Sequence, residues 1–109
     1  MPYDEQLEQR VDAIIAAKGW QFDKIKMFGS MAYKMGGKLC FTVRGSDLLL
    51  RVGGEDARRL LKLEGVTPAL MGDREMRNWW QVEGRLLEND VVILKLLEQA
   101  IANTEGLDV

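Results

Sequence analysis

The period of the apolar residues changes twice along this 109-residue chain, and nothing else in the sequence constrains its fold as much. Tyr3, Leu7, Val11, Ile14 and Ile15 recur at helical spacing, whereas from Lys24 to Val52 the repeat falls to near two. Ile93, Leu94, Leu97, Ala100 and Ile101 then restore the helical repeat over a broad apolar face. A helix-period stripe cannot bury one face as a strand, nor can an alternating segment do so as a helix. The chain is therefore expected to be an α+β domain with helices at both ends of a sheet.

Local signals place the boundaries. Asp4 is positioned to cap the first helix, Glu5 lies in its first turn and Gly19 ends it. Gly36-Gly37 and Gly45-Ser46 read as hairpin turns, dividing the alternating stretch into three strands near 24–35, 38–44 and 47–52, most simply an antiparallel meander. Gly53-Gly54 opens a short helix whose Ala57, Leu60 and Leu61 share a face, with Gly65 as its stop. Val66 to Leu70 and Glu75 to Val82 read as two more strands around a turn at Gly72-Asp73. Pro68 predicts that the first of these is short or at an edge, because proline cannot donate to a ladder. Asn89 caps the last helix. The expected order is α-β-β-β-α-β-β-α, with one antiparallel sheet packed by helices, in a single domain over 1–109 whose tail frays after about residue 103.

Composition removes whole classes of chemistry. The absence of histidine excludes imidazole acid-base catalysis, Ser-His-Asp and Cys-His nucleophile activation, and histidine metal ligation. Cys40 is the lone cysteine, which leaves no internal disulfide and no thiolate zinc set and suits a reducing, cytoplasmic compartment. At 47% hydrophobic residues the chain can bury a core without such staples. The early apolar run Ala13 to Ala17 is far shorter than the roughly 20 residues of a membrane span. The expectation is therefore a non-enzymatic domain with no cofactor, no metal and no membrane association.

Charge is unevenly spread: residues 24–85 hold twelve Lys/Arg against seven Asp/Glu, while both terminal segments are acidic. Alternation assigns Ile25, Met27, Met31, Leu39, Phe41, Val43, Leu48, Leu50, Val52, Met76, Trp80 and Val82 to the core face of the sheet. The opposite face then carries Lys24, Lys26, Lys34, Lys38, Arg44, Arg51 and Arg77 against Asp47, Glu75 and Glu83, interleaved with Phe28, Leu49 and Trp79.

Beside the plain reading of solvated charges around an ordinary surface aromatic, two uses suit such a face. It can close a homodimer or bind a protein partner, with Phe28, Leu49 and Trp79 as anchors and Arg51 and Arg77 beside them. The alternative is a single-stranded nucleic acid, with bases stacked on the rings and Lys26, Lys34, Arg44, Arg51 and Arg77 on the phosphates. Two smaller features have plain readings. Gly53-Gly54 before a helix suits an anion, but Glu55 and Asp56 already occupy that first turn. Cys40 is out of phase with Leu39 and Phe41, which places it partly accessible on the basic face, near Lys38 and Arg44 that favour a thiolate. An enzyme using Cys40, or Glu55 and Asp56, is the rival reading.

The segments Lys26-Met27-Phe28-Gly29-Ser30, Gly37-Lys38-Leu39-Cys40-Phe41 and Asp47-Leu48-Leu49-Leu50-Arg51-Val52 resemble the TfoX N-terminal domain family, TfoX/Sxy. Gly65, Pro68 and Trp79-Trp80-Gln81-Val82 look like further family positions, so the resemblance runs over roughly residues 8–103. Ser30 stands where the family has a second glycine, Ala69 where an aromatic is usual, and Glu83-Gly84 where Pro-Glu follows the aromatic pair, the marks of a divergent member. The resemblance implies a compact α+β fold, secretion-chaperone-like, with one antiparallel sheet. Longer relatives add a C-terminal domain and regulate competence for DNA uptake in bacteria. The expected function is thus regulatory, through protein contacts, with Arg51 at the family's Leu-x-Leu-Arg position as the first choice for a functional or structural charge pair.

Overall fold

The computed structural model describes residues 3–27 and 29–106. Helix α1 (Glu5–Lys18) is followed by strands β1 (Asp23–Met27), β2 (Ser30–Met35), β3 (Lys38–Arg44) and β4 (Asp47–Arg51). Helix α2 (Gly54–Leu61), strands β5 (Val66–Met71) and β6 (Arg74–Val82), a 3-10 turn over Gly84–Leu86 and helix α3 (Asp90–Glu105) complete the chain. All neighbours pair antiparallel in one sheet of order β1-β2-β3-β4-β6-β5. The α+β class holds, with six strands rather than five, and β5, which carries Pro68, is an edge strand as expected.

The caps do what their chemistry allows. The Asp4 carboxylate accepts from the N–H groups of Gln6 and Leu7 at 2.8 and 3.3 Å, and Gly19 closes α1 in the left-handed conformation. The hairpin at Gly36-Gly37 has φ of 59° and 81°, the type I′ pattern that matches strand twist. Helix α3 packs on β3 and β4 and α1 on α3, covering one sheet face. Between them lies the main core of Tyr33, Phe41, Leu48, Leu50, Val82, Leu87, Ile93 and Leu97 with their neighbours. Helix α3 runs past the expected fraying point: Thr104 is buried and its hydroxyl donates to the Ala100 carbonyl at 2.9 Å.

Three irregularities overturn the simple alternation. First, the expected strand 24–35 is a hairpin, with Gly29 at φ 78° and Met27 opposite Ser30. The turn inverts the parity of everything before it, so Lys24 and Lys26 lie opposite Tyr33 and Met31 on the helix-covered side, and Ile25 and Met27 lie on the other. Second, Tyr33 pairs with Phe41 but Lys34 with Leu39, which leaves Cys40 as an extra residue in a β-bulge. The bulge turns both Cys40 and Phe41 into the core, puts Leu39 on the second face, and places Lys38 opposite core-packed Met35. Third, the β5–β6 register shifts between Pro68 and Leu70 around Asn78, whose φ of 64° an asparagine tolerates best among non-glycine residues. That shift carries Met76 to the second face beside Trp79.

Candidate functional site

The second sheet face, where the sequence places its interaction residues, is largely sealed. Leu49 and Trp79 are only 3% and 7% exposed, and with Ala69 they form a second small core against Leu39 and Met76. Their expected exposure as anchors is thus corrected. The cover is the β5–β6 hairpin itself. In the sheet order β3 and β5 are separated by two strands, roughly 14 Å in a flat sheet. Yet the Arg44 guanidinium donates to the Leu70 carbonyl at 3.1 Å, and Met71 shares a cavity of about 100 Å³ with Met27, Leu39, Leu49 and Trp79. The hairpin must curl back over the face to do this.

The expected site residues therefore separate. Lys34, Arg44 and Arg51 share the second face by register with Leu39, Asp47 and Trp79. Lys26 is on the other face, and Arg77 is exposed in the β6 irregularity. Phe28 lies outside the described residues. Asp47 is engaged within the fold, accepting from Gln81 Nε2 at 2.6 Å and from the Gly84 N–H at 2.8 Å.

Cys40 is fully buried rather than accessible. Burial, opposed by a Thr104 hydrogen bond and reinforced by the Glu105 charge, pushes its thiol up to about 11. A nucleophile needs the reverse. At Gly53-Gly54 the anion reading also loses ground, because the Gly53 N–H donates to Asn103 Oδ1 at 3.2 Å.

On the helix side, Lys24 bonds Glu8 and Asp12 of α1 at 2.6 and 2.7 Å, and the Tyr33 hydroxyl donates to Asp12 at 2.7 Å. Burial alone would lower the Lys24 pKa, but the hydrogen bonds and charges of Asp12 and Glu8 outweigh it and raise it. Burial and the same carboxylates push the Tyr33 phenol strongly upward. This cluster ties α1 to the sheet. An open cleft of about 610 Å³ near the start of α1 also holds charges, but they bond one another or backbone: Arg10 with Asp90 and the Leu87 carbonyl, Arg85 with Glu83. Among the described residues no group of three His, Cys, Asp or Glu side chains could hold a metal ion, and no helix is long and apolar enough to cross a membrane.

An open apolar surface lies elsewhere. Between α2 and α3 a groove of about 220 Å³ is walled by Leu60, Leu63, Val92 and Leu96, with Leu63 51% and Val92 38% exposed. Arg59 and Lys95 line it, and Gln99 adds an Oε1 that is buried without a hydrogen-bond partner. The sequence reading missed these residues. Leu63 follows the helical stripe of α2, and Val92 precedes the buried run of α3; only the docking of α2 beside α3 joins them.

Residues 20–104 match the family model of the TfoX N-terminal domain. The chain belongs to the TfoX N-terminal domain family. Comparison with curated proteins and with solved structures finds no match. The match begins at 20, not at the expected 8, so α1 precedes it although Leu7 and Val11 complete the core.

The TfoX N-terminal motifs fall on structural positions. Gly29 and Gly37 make the hairpin turns, Phe41, Leu48 and Leu50 are core, and the Trp80 indole N–H donates to the Val52 carbonyl at 2.7 Å. Gly65 sits at φ 103° with Leu86 about to touch any added side chain, 3.0 Å from where a Cβ would be. Membership supports a TfoX-like regulatory domain. The groove residues Leu63, Val92 and Lys95 fall outside the quoted motifs.

Proposed function

We propose that this is a regulatory domain that acts by contacting other proteins and catalyses no reaction. Family membership supplies the regulatory class, and the α2–α3 groove is the observation that carries the mode of action. Large apolar side chains half open to water, next to buried ones and rimmed by charge, are what a protein interface looks like before its partner arrives. The nucleic-acid reading asked for exposed rings among cations, whereas Trp79 is buried and Lys26 faces away from Arg44. The enzyme reading asked for an accessible, acidic thiol, whereas Cys40 is buried and its proton is held more tightly than usual.

Complementation tests the proposal. Deleting the gene in its host should change a defined set of transcripts, and both the parent chain and Cys40→Ala should restore them. A chain carrying Leu63→Asp and Val92→Asp should fold but not restore them. Loss of rescue by Cys40→Ala with normal melting would point to catalysis instead.

A further inference from the structure

We propose that the α2–α3 groove receives an acidic amphipathic helix of a partner protein, with one large apolar side chain seated between Leu63 and Val92 and carboxylates set against Arg59 and Lys95. The proposal rests on the reading that the domain works through protein contacts and adds the chemistry of the contact.

Shape comes first. A cavity of roughly 150 Å³ can hold benzene, so the groove's 220 Å³ admits one leucine-sized or aromatic side chain with some backbone around it. The floor is apolar, Leu60 and Leu96 being nearly buried and Leu63 and Val92 open. A concave groove between two helices takes a convex ridge, which an amphipathic helix presents through side chains at i, i+3 or i+4, and i+7.

Charge selects the partner. The ionisable groups lining the groove are both cations, Arg59 and Lys95. Lys62 adds positive charge at the C-terminal cap of α2, whereas Arg58 is paired with Glu55 at 3.4 Å. Arg59 is paired with Asp56 one turn back at 3.9 Å, a long and exposed ion pair that leaves the guanidinium free to meet a second carboxylate, and neither Glu98 beside Lys95 nor Glu64 beside Leu63 lines the groove. An isologous pairing of two copies would bring this same cationic rim against itself, which like charges disfavour. A glutamate-rich helix meets it with complementary charge although the whole chain is net negative, since screening confines the attraction to about 10 Å.

The probe is a fluorescein-labelled helical peptide of about five turns, with leucines at helical stripe positions and glutamates elsewhere, beside a twin with lysine for each glutamate. Fluorescence anisotropy with the full chain should give at least about tenfold tighter binding for the glutamate peptide, a preference that fades at high salt. Leu63→Asp or Val92→Asp should abolish it while circular dichroism and melting stay normal, both sites being exposed. Arg59→Glu with Lys95→Glu should transfer the preference to the lysine twin. Amide NMR shifts should map to α2, α3 and the Leu63 loop.

Equal binding of the two peptides, shifts confined to another surface, or no binding would overturn the proposal. So would light scattering that shows a dimer whose contacts are these same residues. If the peptide fails but Leu63→Asp with Val92→Asp still abolishes host complementation, the protein-contact reading stands and only the partner chemistry is wrong. If that variant complements normally, both fail.

Discussion

Cys40 offers the sharpest quantitative test, because accessibility and acidity act on its reactivity in the same direction. The thiol is fully buried, and its pKa rises from an ordinary 9.0 to about 11. A rise of two units leaves about 100-fold less thiolate at any pH below the ordinary value. Reagent must also wait for an opening that exposes the strand, which lowers the rate by a further factor set by local stability. Iodoacetamide labelling followed by mass spectrometry at about pH 8 should therefore be at least about 100-fold slower in the native chain than in denaturant. The sign in stability follows from proton counting. Between about pH 9 and 11 the folded state holds the proton that the unfolded state releases, so this contribution is whole below pH 9 and is lost as pH rises through 11. The loss amounts to roughly 3 kcal/mol. Tyr33 and Lys24 also have raised values and act with the same sign at alkaline pH, so the Cys40 part is the difference between the parent chain and Cys40→Ala. A native labelling rate within about tenfold of the denatured one would refute the bulge that turns Cys40 inward.

Three further outcomes are expected. Trp79→Ala should lower stability by about 3–5 kcal/mol in thermal or denaturant melts, without a change in mass by light scattering, because the ring packs in the monomer's second core; a change in association with unaltered melting would return Trp79 to the surface. Gly84→Ala should destabilise measurably, its Cβ falling 2.5 Å from the Ser46 carbonyl oxygen, which is backbone and cannot swing away; an unchanged melting curve would contradict that close approach. Tyr33→Phe should cost roughly 1.5–3 kcal/mol, the range for a hydrogen bond to a charged acceptor, and Asp12→Asn should weaken the same tie; a null result in denaturant titration of both would show that α1 is not anchored there.

The sequence alone determined the class and the helices and all the strands but one, the segment 24–35 being two paired strands where one was expected. Capping at Asp4 and Asn89, the paired glycines at 36 and 37, and the two changes of period are local matters decided by φ and ψ preferences and by which residues repeat on one side. What it could not determine was which face each strand presents, because alternation survives only until a residue is gained or lost. The hairpin at Gly29, the bulge at Cys40 and the irregularity around Asn78 each break it, and they move Lys24, Lys26, Cys40, Leu39 and Met76 away from their expected sides. Those breaks are set by pairing across strands, where one ladder must adjust to fill a core shared with α1 and α3. Burial of Trp79 and Leu49 depends likewise on the β5–β6 hairpin curling back to Arg44, a contact between residues 26 positions apart. The groove of Leu63 and Val92 exists only because the fold brings residues of α2 and α3, distant in sequence, to the two walls of one groove, and no period within either helix records its neighbour.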